Sequence, residues 1–207
     1  MRLGRHDLQG VLFDFDGTLT RPGGLDFAAI KRAMQCPPDE PILEYIGRLP
    51  ENKALRAMAI LEEFEERAAR EARPNEAAED LIGLLRDRRL PLGILTRNSR
   101  RSVLCALYNF KAIDADYFSV IIGREDVQSP KPHPEGVRLA AVRMGVPVTQ
   151  LGVVGDYRFD IEAGRRAGAV TIFLGKDSGG PEADYRFDSP AGLLESISRH
   201  EGRINYG

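Results

Sequence analysis

The sequence predicts an α/β fold in which a doubly wound, Rossmann-like parallel sheet carries a small all-helical insert after its first strand. Short apolar runs alternate with helical patterns along most of the 207 residues. Nearly uninterrupted apolar runs are typical of strands buried on both faces, and their alternation with helices indicates a parallel sheet wrapped by helices. One segment near the N-terminus breaks this alternation, because it shows helical patterns but no convincing strand.

Five apolar runs are the predicted strands of this sheet. They span residues 9–15, 90–95, 117–122, 151–154 and 169–174, and each is closed by Gly, Thr or Asp. Helical patterns at 75–89, 99–110 and 134–144 lie between them, with apolar residues at the spacing of one helix face. From residue 177 the chain is Gly-rich at first and then weakly helical from 190 to 199.

Residues 21–74 are predicted to form the helical insert, and residues 1–20 and 75–207 the α/β core. Its helical patterns at 26–34, 41–47 and 51–72 are separated by proline-containing segments, where helices end. The third pattern carries a charged run with i,i+4 spacing, which we interpret as a solvated outer face. This run comprises Glu62, Glu63, Glu65, Glu66, Arg67, Arg70 and Glu71.

Composition excludes several classes of function. The 29 basic and 31 acidic side chains give a net charge of −2, and no basic stripe suggests a nucleic-acid partner. No apolar stretch approaches the roughly 18 residues that a membrane-spanning helix needs, and residues 1–10 do not resemble a signal peptide. Cys36 and Cys105 are far apart without a metal-binding context, which suits reduced thiols, so we predict a cytoplasmic location.

Polar side chains follow four of the apolar runs, at positions where parallel strands present their carboxyl ends to one sheet edge. These residues are Asp14, Asp16 and Thr18 at the end of the first run, Thr96, Arg97 and Asn98 after the second, Lys131 after the third, and Asp156 and Asp160 after the fourth. Singly, an aspartate or threonine here is more often a helix cap. Together they predict a polar site at one edge of the sheet.

Crowded carboxylates repel one another, by about 4 kcal/mol per pair at 4 Å with an effective dielectric near 20, so the site calls for a cation. Oxygen ligands in small number favour Mg2+, which takes further ligands from a substrate phosphate. Lys131 and Thr96 would then hold phosphate oxygens. Backbone N–H groups at the start of the helix after Arg97 would assist them.

The run Asp14-Phe15-Asp16-Gly17-Thr18-Leu19-Thr20 resembles the first motif of the haloacid dehalogenase superfamily. Thr96 is similar to its second motif, Lys131 in a Lys-Pro-x-Pro setting to its third, and Gly155-Asp156 followed by Asp160 to its fourth. The resemblance covers the whole α/β core. It implies the branch of phosphoglycolate phosphatase and β-phosphoglucomutase, whose members carry a helical cap where residues 21–74 lie.

This resemblance also implies a role for each residue. Asp14 would be the nucleophile and Asp16 the general acid and base. The metal ligands would be Asp14, Asp16 through its backbone carbonyl, and Asp156, with Asp160 supporting them. The substrate-binding residues would be Thr96, Arg97, Asn98 and Lys131. For Asn98 the alternative is a cap on the following helix, and we favour that interpretation. Arg21, Arg48 and Lys53 are candidate contacts of the cap to an anionic substrate, but their interpretation as surface charges is simpler.

The predicted function is a Mg2+-dependent phosphatase that hydrolyses a small phosphorylated metabolite through an aspartyl-phosphate. The alternative is a phosphomutase of the β-phosphoglucomutase type, which shares all four motifs. A non-catalytic binding module is a third possibility, and the intact Asp14, Asp16, Lys131 and Asp156 speak against it. The expected partner is a small phosphate ester, without nucleic acid or membrane, and the number of subunits is left open.

Overall fold

The computed structural model, which describes residues 1–176 and 180–202, is built around a six-stranded parallel sheet. After an N-terminal antiparallel hairpin of β1 (Arg2–Leu3) and β2 (His6–Asp7), the chain forms its central strand β3 (Gly10–Phe13). The remaining strands are β4 (Leu92–Leu95), β5 (Val120–Ile122), β6 (Leu151–Gly155), β7 (Val170–Leu174) and β8 (Tyr185–Phe187). The predicted doubly wound sheet is confirmed.

The strand order β5-β4-β3-β6-β7-β8 places β3 between β4 and β6. All five pairings are parallel. Because the chain continues to one side of β3 through β4 and β5 and to the other through β6 to β8, the strand order reverses at β3. A crevice opens beyond the carboxyl ends of the strands at such a switch point, and ligands bind there in folds of this kind.

Helices cover both faces of the sheet and bury every residue of β3, β4, β6 and β7. Helices α4 (Ala78–Asp87), α5 (Arg100–Leu107) and α8 (Pro190–Gly202) contribute to the core cluster on one face. Helices α6 (Glu135–Met144) and α7 (Arg158–Ala167) contribute to that on the other face. This two-sided burial explains why the strands are apolar runs rather than alternating patterns.

Residues 21–74 contain three helices, α1 (Phe27–Met34), α2 (Ile42–Gly47) and α3 (Glu51–Glu71). They form a hydrophobic cluster of their own, which includes Leu25, Ile30, Ile46 and Leu61. Entry and exit of the segment are adjacent, since Thr20 and Pro74 form an isolated antiparallel bridge. We call residues 21–74, the helical insert, the cap segment.

One part of the cap segment differs from the prediction. Most of the charged run on α3 lies at the surface, where Arg67 and Arg70 make the expected i,i+4 ion pairs with Glu63 and Glu66. Glu65, however, is only 2% exposed, so placing it on the solvated face was wrong. It pairs with Arg124 of the core, which supplies the compensating charge that a buried carboxylate needs.

No helix in the described ranges, 1–176 and 180–202, combines the length and apolar character required to cross a membrane.

Candidate active site

The predicted site residues converge at the switch point of the sheet. Asp14 directly follows β3, Thr96 follows β4 and Asp156 follows β6. Asp160 lies in the first turn of α7, and Lys131 in the loop between β5 and α6. The Asp14 backbone N–H donates to the Val154 carbonyl at 2.8 Å, which continues the β3–β6 pairing one residue past the end of β3.

Three carboxylates form the centre of the site. Asp14, Asp156 and Asp160 each offer an oxygen, and these atoms lie within 4.8 Å of one another. The Lys131 ammonium donates to Oδ1 of Asp14 at 2.5 Å, to Oδ1 of Asp160 at 2.6 Å and to the Leu95 carbonyl at 2.7 Å. When all four groups are ionised, one ammonium faces three carboxylates, so the cluster carries an excess of negative charge.

Burial and mutual repulsion shift the titration of these groups. Burial raises the pKa of Asp14, and the neighbouring charge of Asp160 raises it further. Burial and Asp160 together raise the pKa of Asp156 to about 6. For Lys131, burial alone would lower the pKa, but the carboxylates of Asp14 and Asp160 outweigh burial and raise it, so the ammonium stays charged. Ionisation of Asp14 and Asp156 is therefore unfavourable unless more positive charge is present.

A divalent metal ion fits this donor set, because the cluster offers only carboxylate oxygens and is short of positive charge. Asp160 has both oxygens engaged, Oδ1 by Lys131 and Oδ2 by the Tyr157 backbone N–H at 3.1 Å. Asp14 and Asp156 are therefore better placed to bind a metal directly, while Asp160 positions Lys131. The Asp16 side chain is not part of this cluster of Asp14, Asp156 and Asp160.

Two glycines allow the carboxylates to approach the backbone so closely. Gly17 has φ +83°, and a Cβ there would lie 2.2 Å from Oδ2 of Asp156. A Cβ at Gly155 would lie 2.3 Å from the Cβ of Asp160. Only glycine avoids these clashes, so the Gly in each motif is required by the geometry of the neighbouring aspartate.

Asp16 lies beside the cluster in a distinct environment. Its Oδ2 accepts a hydrogen bond of 2.6 Å from the Asn98 side chain. Burial, followed by the nearby charge of Glu65, raises the pKa of Asp16 to about 7. Asn98 does not cap helix α5, because Ser99 does so by accepting from the Ser102 N–H. The interpretation of Asn98 as a helix cap was therefore wrong.

Thr96 and Arg97 have different surroundings. Thr96 is buried, and its Oγ1 accepts from the Asn98 backbone N–H at 3.1 Å, which shapes the turn after β4. Arg97 reaches the cap segment, where its two terminal nitrogens lie 3.0 and 2.6 Å from the carboxylate oxygens of Glu44. It also donates to the Lys131 carbonyl.

A cavity of about 460 Å³ covers these groups and separates the core from the cap segment. The core side is lined by all the predicted site residues, Asp14, Asp16, Thr96, Arg97, Asn98, Lys131, Asp156 and Asp160. The cap side is mainly apolar, with Leu25, Phe27, Ile42, Leu43 and Leu61, and also contributes Lys31, Asp39 and Glu65. A second cavity of about 290 Å³ adjoins it and shares Asp16, Asn98 and Glu65.

The candidate cap contacts divide between these cavities and the surface. Arg21 lines the smaller cavity. Arg48 and Lys53 line neither cavity and are exposed, and Arg48 pairs with Glu40 within the cap segment. For these two residues the simpler reading as surface charges agrees with the structure.

Sequence reasoning missed Glu65 and Glu44 as residues near the site. Glu65 carried a usable signal, because Ala57, Leu61 and Ala69 are buried at spacings of four residues and place Glu65 on the same helix face. Glu44 lies in the short helix α2 and carried no comparable signal. Glu44 meets its partner Arg97 only when the cap segment folds against the loop after β4.

The match to known families agrees with this geometry. Residues 11–174 match the model of the haloacid dehalogenase-like hydrolase family. The chain belongs to this family. Among its relatives, the phosphoglycolate phosphatase of Shigella boydii is 33% identical over 208 residues, and that of Escherichia coli K12 is 32% identical over 210 residues. Each alignment covers 81% of this chain and 81% of the relative.

Solved structures of other proteins share the fold. A hydrolase from Pseudomonas syringae superposes with a TM-score of 0.78 at 24% identity, over 93% of this chain and 99% of that one. CbbY from Rhodobacter sphaeroides, solved in complex with phosphate, superposes with a TM-score of 0.71 at 22% identity, over 92% and 99%. The enzyme class predicted from the sequence, a phosphoric monoester hydrolase of the haloacid dehalogenase family, agrees with the activity in the names of the phosphoglycolate phosphatase relatives.

Proposed function

We propose that this protein is a Mg2+-dependent phosphatase that hydrolyses a small phosphorylated metabolite through an aspartyl-phosphate on Asp14. The observation that carries the proposal is the convergence of Asp14, Asp16, Lys131 and Asp156 on one cavity at the switch point of the sheet. Such a set provides a nucleophile, an acid and the positive charge that phosphoryl transfer requires. Two relatives with about a third of their residues identical are named phosphoglycolate phosphatases.

In the first half-reaction, a carboxylate oxygen of Asp14 attacks phosphorus and the bond from phosphorus to the leaving oxygen breaks. Lys131 donates to Oδ1 of Asp14, which leaves Oδ2 as the attacking oxygen. Asp16 in its protonated form gives its proton to the leaving oxygen, so that an alcohol departs. Its hydrogen bond from Asn98 fixes the carboxyl group beside the reacting atoms.

In the second half-reaction, the ionised Asp16 takes a proton from a water molecule. The water oxygen attacks phosphorus, the bond to Asp14 breaks, and inorganic phosphate is released with Asp14 and the protonated Asp16 regenerated. One residue thus acts as acid and then as base, which splits a slow displacement into two easier steps. Thr96 lines the cavity and its hydroxyl can donate to a phosphoryl oxygen in both steps, while Lys131 contributes its positive charge beside Asp14.

Asp14 and Asp156, with the Asp16 backbone carbonyl, would hold Mg2+. When bound, this ion supplies positive charge that stabilises the phosphoryl oxygens and lessens the repulsion between the carboxylates. Thr18 orients Asp156 for this role by donating to its Oδ1 at 3.2 Å. Asp160 would support the site indirectly through Lys131.

Residues 21–74 would form a cap over the core of residues 1–20 and 75–207. The cap segment would exclude water during the first half-reaction and contact the leaving group. A cavity of about 460 Å³ suits a small metabolite rather than a phosphoprotein. We expect a phosphorylated small acid or sugar in the cytoplasm, with phosphoglycolate the first substrate to test because of the named relatives.

A panel of phosphorylated metabolites, assayed with Mg2+ and with EDTA, tests this proposal. We expect release of inorganic phosphate from phosphoglycolate or a sugar phosphate with Mg2+ and none with EDTA. Isomerisation of a sugar phosphate without net phosphate release would instead show a phosphomutase. Absence of turnover on the whole panel and on p-nitrophenyl phosphate, despite Mg2+ binding, would contradict an enzymatic role.

A further inference from the structure

We propose that Arg97 is a positioning residue that docks helix α2 of the cap segment onto the catalytic loops. This inference rests on the proposed function for its kinetic consequences, but the docking itself can be measured without turnover. The loop position next to Thr96 suggested a substrate contact from the sequence. The contacts of the guanidinium point to a structural partner instead.

The Arg97 side chain, in the loop after β4, connects the cap segment with the loop that carries Lys131 and with helix α7. Its two terminal nitrogens form a bidentate pair with Glu44, at 3.0 and 2.6 Å. Nη1 also donates to the Lys131 carbonyl, and the guanidinium lies 5.0 Å from the centre of the Phe159 ring, between Asp156 and Asp160 in sequence. A bidentate pair fixes orientation as well as distance, because both partners are planar.

The other side of the cap segment is held by different contacts. Helix α3 packs on the core through Ala69, whose carbonyl accepts from the Asn109 side chain at 2.9 Å. Arg124 pairs with Glu65 at 2.5 Å, and Arg101 with Glu66 at 3.3 Å. Helices α1 and α2 pack against α3 within the cap segment. Among the ion pairs of described residues, the one that joins α2 to the core is Arg97–Glu44.

This arrangement gives the two halves of the cap segment different freedom. Helix α3 contacts the core directly, whereas α2 lies over the cavity, packs on α3 and is joined to the core loops through Arg97. The Arg97 side chain is 20% exposed and Glu44 is 41% exposed, so water can compete for the pair and it can open and close. Because Arg97 also holds the Lys131 carbonyl, docking of α2 is linked to the position of the loop that carries the ammonium.

Hydrogen–deuterium exchange of the full chain tests the docking directly. Arg97→Gln and Glu44→Gln should each raise the exchange of backbone amides in residues 42–47 and leave α3 unchanged. Glu44→Gln should add nothing in the Arg97→Gln background, since the pair is already broken. Glu66→Gln is the matched control, because it removes a cap-to-core charge on the α3 side and should leave exchange in α2 unaltered.

Kinetics with p-nitrophenyl phosphate separate the two contacts of Arg97. Glu44→Gln should raise KM roughly two- to fivefold while inhibition by inorganic phosphate stays unchanged, since only the cap contact is lost. Arg97→Gln should weaken phosphate inhibition as well, through the Lys131 loop.

Unchanged exchange in α2 for both single variants, independent effects in the double variant, or an equal effect of Glu66→Gln would overturn the inference. An inactive wild-type protein with the expected exchange pattern would contradict the proposed function and leave the docking role standing.

Discussion

Lys131 donates a hydrogen bond of 2.5 Å to Oδ1 of Asp14 from a position that is 4% exposed. The same ammonium contacts Asp160 and the Leu95 carbonyl, so its donors are directed at fixed partners. This places a permanent positive charge against the candidate nucleophile. Lys131 can therefore orient Asp14 and place a fixed positive charge beside the phosphoryl group, whereas a mobile surface lysine could not.

Replacing Lys131 by methionine should abolish activity and destabilise the protein. The change leaves Asp14 and Asp160 without their compensating charge, and breaking a buried pair costs about 3 to 5 kcal/mol. We expect phosphate release to fall at least about 100-fold. Denaturant unfolding and p-nitrophenyl phosphate hydrolysis measure the two effects. Lys111→Met, at an exposed position, is the control and should retain both stability and activity. A fully active Lys131→Met variant would contradict the assigned role.

The metal-free protein should lose stability as pH rises from about 4 to about 7. Asp16 and Asp156 have pKa values of about 7 and about 6 in the fold, against roughly 3.9 in an unfolded chain. The folded state therefore binds more protons in this window, and stability present at low pH is lost as the groups ionise. The melting temperature in EDTA, measured across this range, should fall with pH.

Two comparisons make this prediction specific. Asp156→Asn should flatten the dependence on pH, because one of the strained carboxylates is removed. Addition of Mg2+ at pH 7.5 should restore the melting temperature, since a ligand of the folded state stabilises it by mass action. A melting temperature in EDTA that rises over the same interval would show that the carboxylates are not destabilised in the fold.

Gly17→Ala should weaken metal binding by displacing Asp156. A Cβ at this position would lie 2.2 Å from the carboxylate oxygen, and φ of +83° also disfavours alanine. Gly23→Ala is a matched control, because Gly23 has φ +87° and nothing within 4 Å of the added Cβ. Titration of activity with Mg2+ should show a higher half-saturating concentration for Gly17→Ala alone. Equal shifts in both variants would indicate backbone strain rather than the predicted clash.

Asn98→Ala and Ser99→Ala should have opposite consequences. Asn98 bonds the Asp16 carboxyl, so its loss should lower kcat by roughly tenfold with little change in stability. Ser99 caps helix α5, so its loss should cost about 1 kcal/mol of stability and leave kcat nearly unchanged. Thermal melts and steady-state kinetics on both variants check this. A drop in stability without a drop in kcat for Asn98→Ala would restore its interpretation as a helix cap.

The buried parts of the fold were predictable from the sequence because their residues face apolar surroundings on both sides. Strands β3, β4, β6 and β7 read as apolar runs for this reason. Strand β8 was missed, since Tyr185, Arg186 and Phe187 form a half-buried edge strand in a segment rich in Gly and Asp. The N-terminal hairpin of β1 and β2 has only two residues in each strand, too few for a periodic pattern.

The candidate site was predictable where its residues follow strands and unpredictable where it depends on the cap segment. Asp14, Thr96 and Asp156 meet because the carboxyl ends of β3, β4 and β6 are neighbours. The pairing of Arg97 with Glu44 spans 53 residues and arises only when α2 lies over the loop after β4. The spacing of residues in the sequence does not predict such a contact, so the pairing of Arg97 could be found only in the structure.

The central claim is that Asp14 carries the phosphoryl group during turnover. Acid quenching of the reaction with p-nitrophenyl phosphate and Mg2+, followed by peptide mass spectrometry, tests it most directly. We expect one phosphoryl group on the peptide that contains Asp14, and an Asp14→Asn variant with neither this adduct nor phosphate release above about a thousandth of the wild-type rate. Undiminished phosphate release by Asp14→Asn, or a phosphoryl group on another residue, would contradict the mechanism.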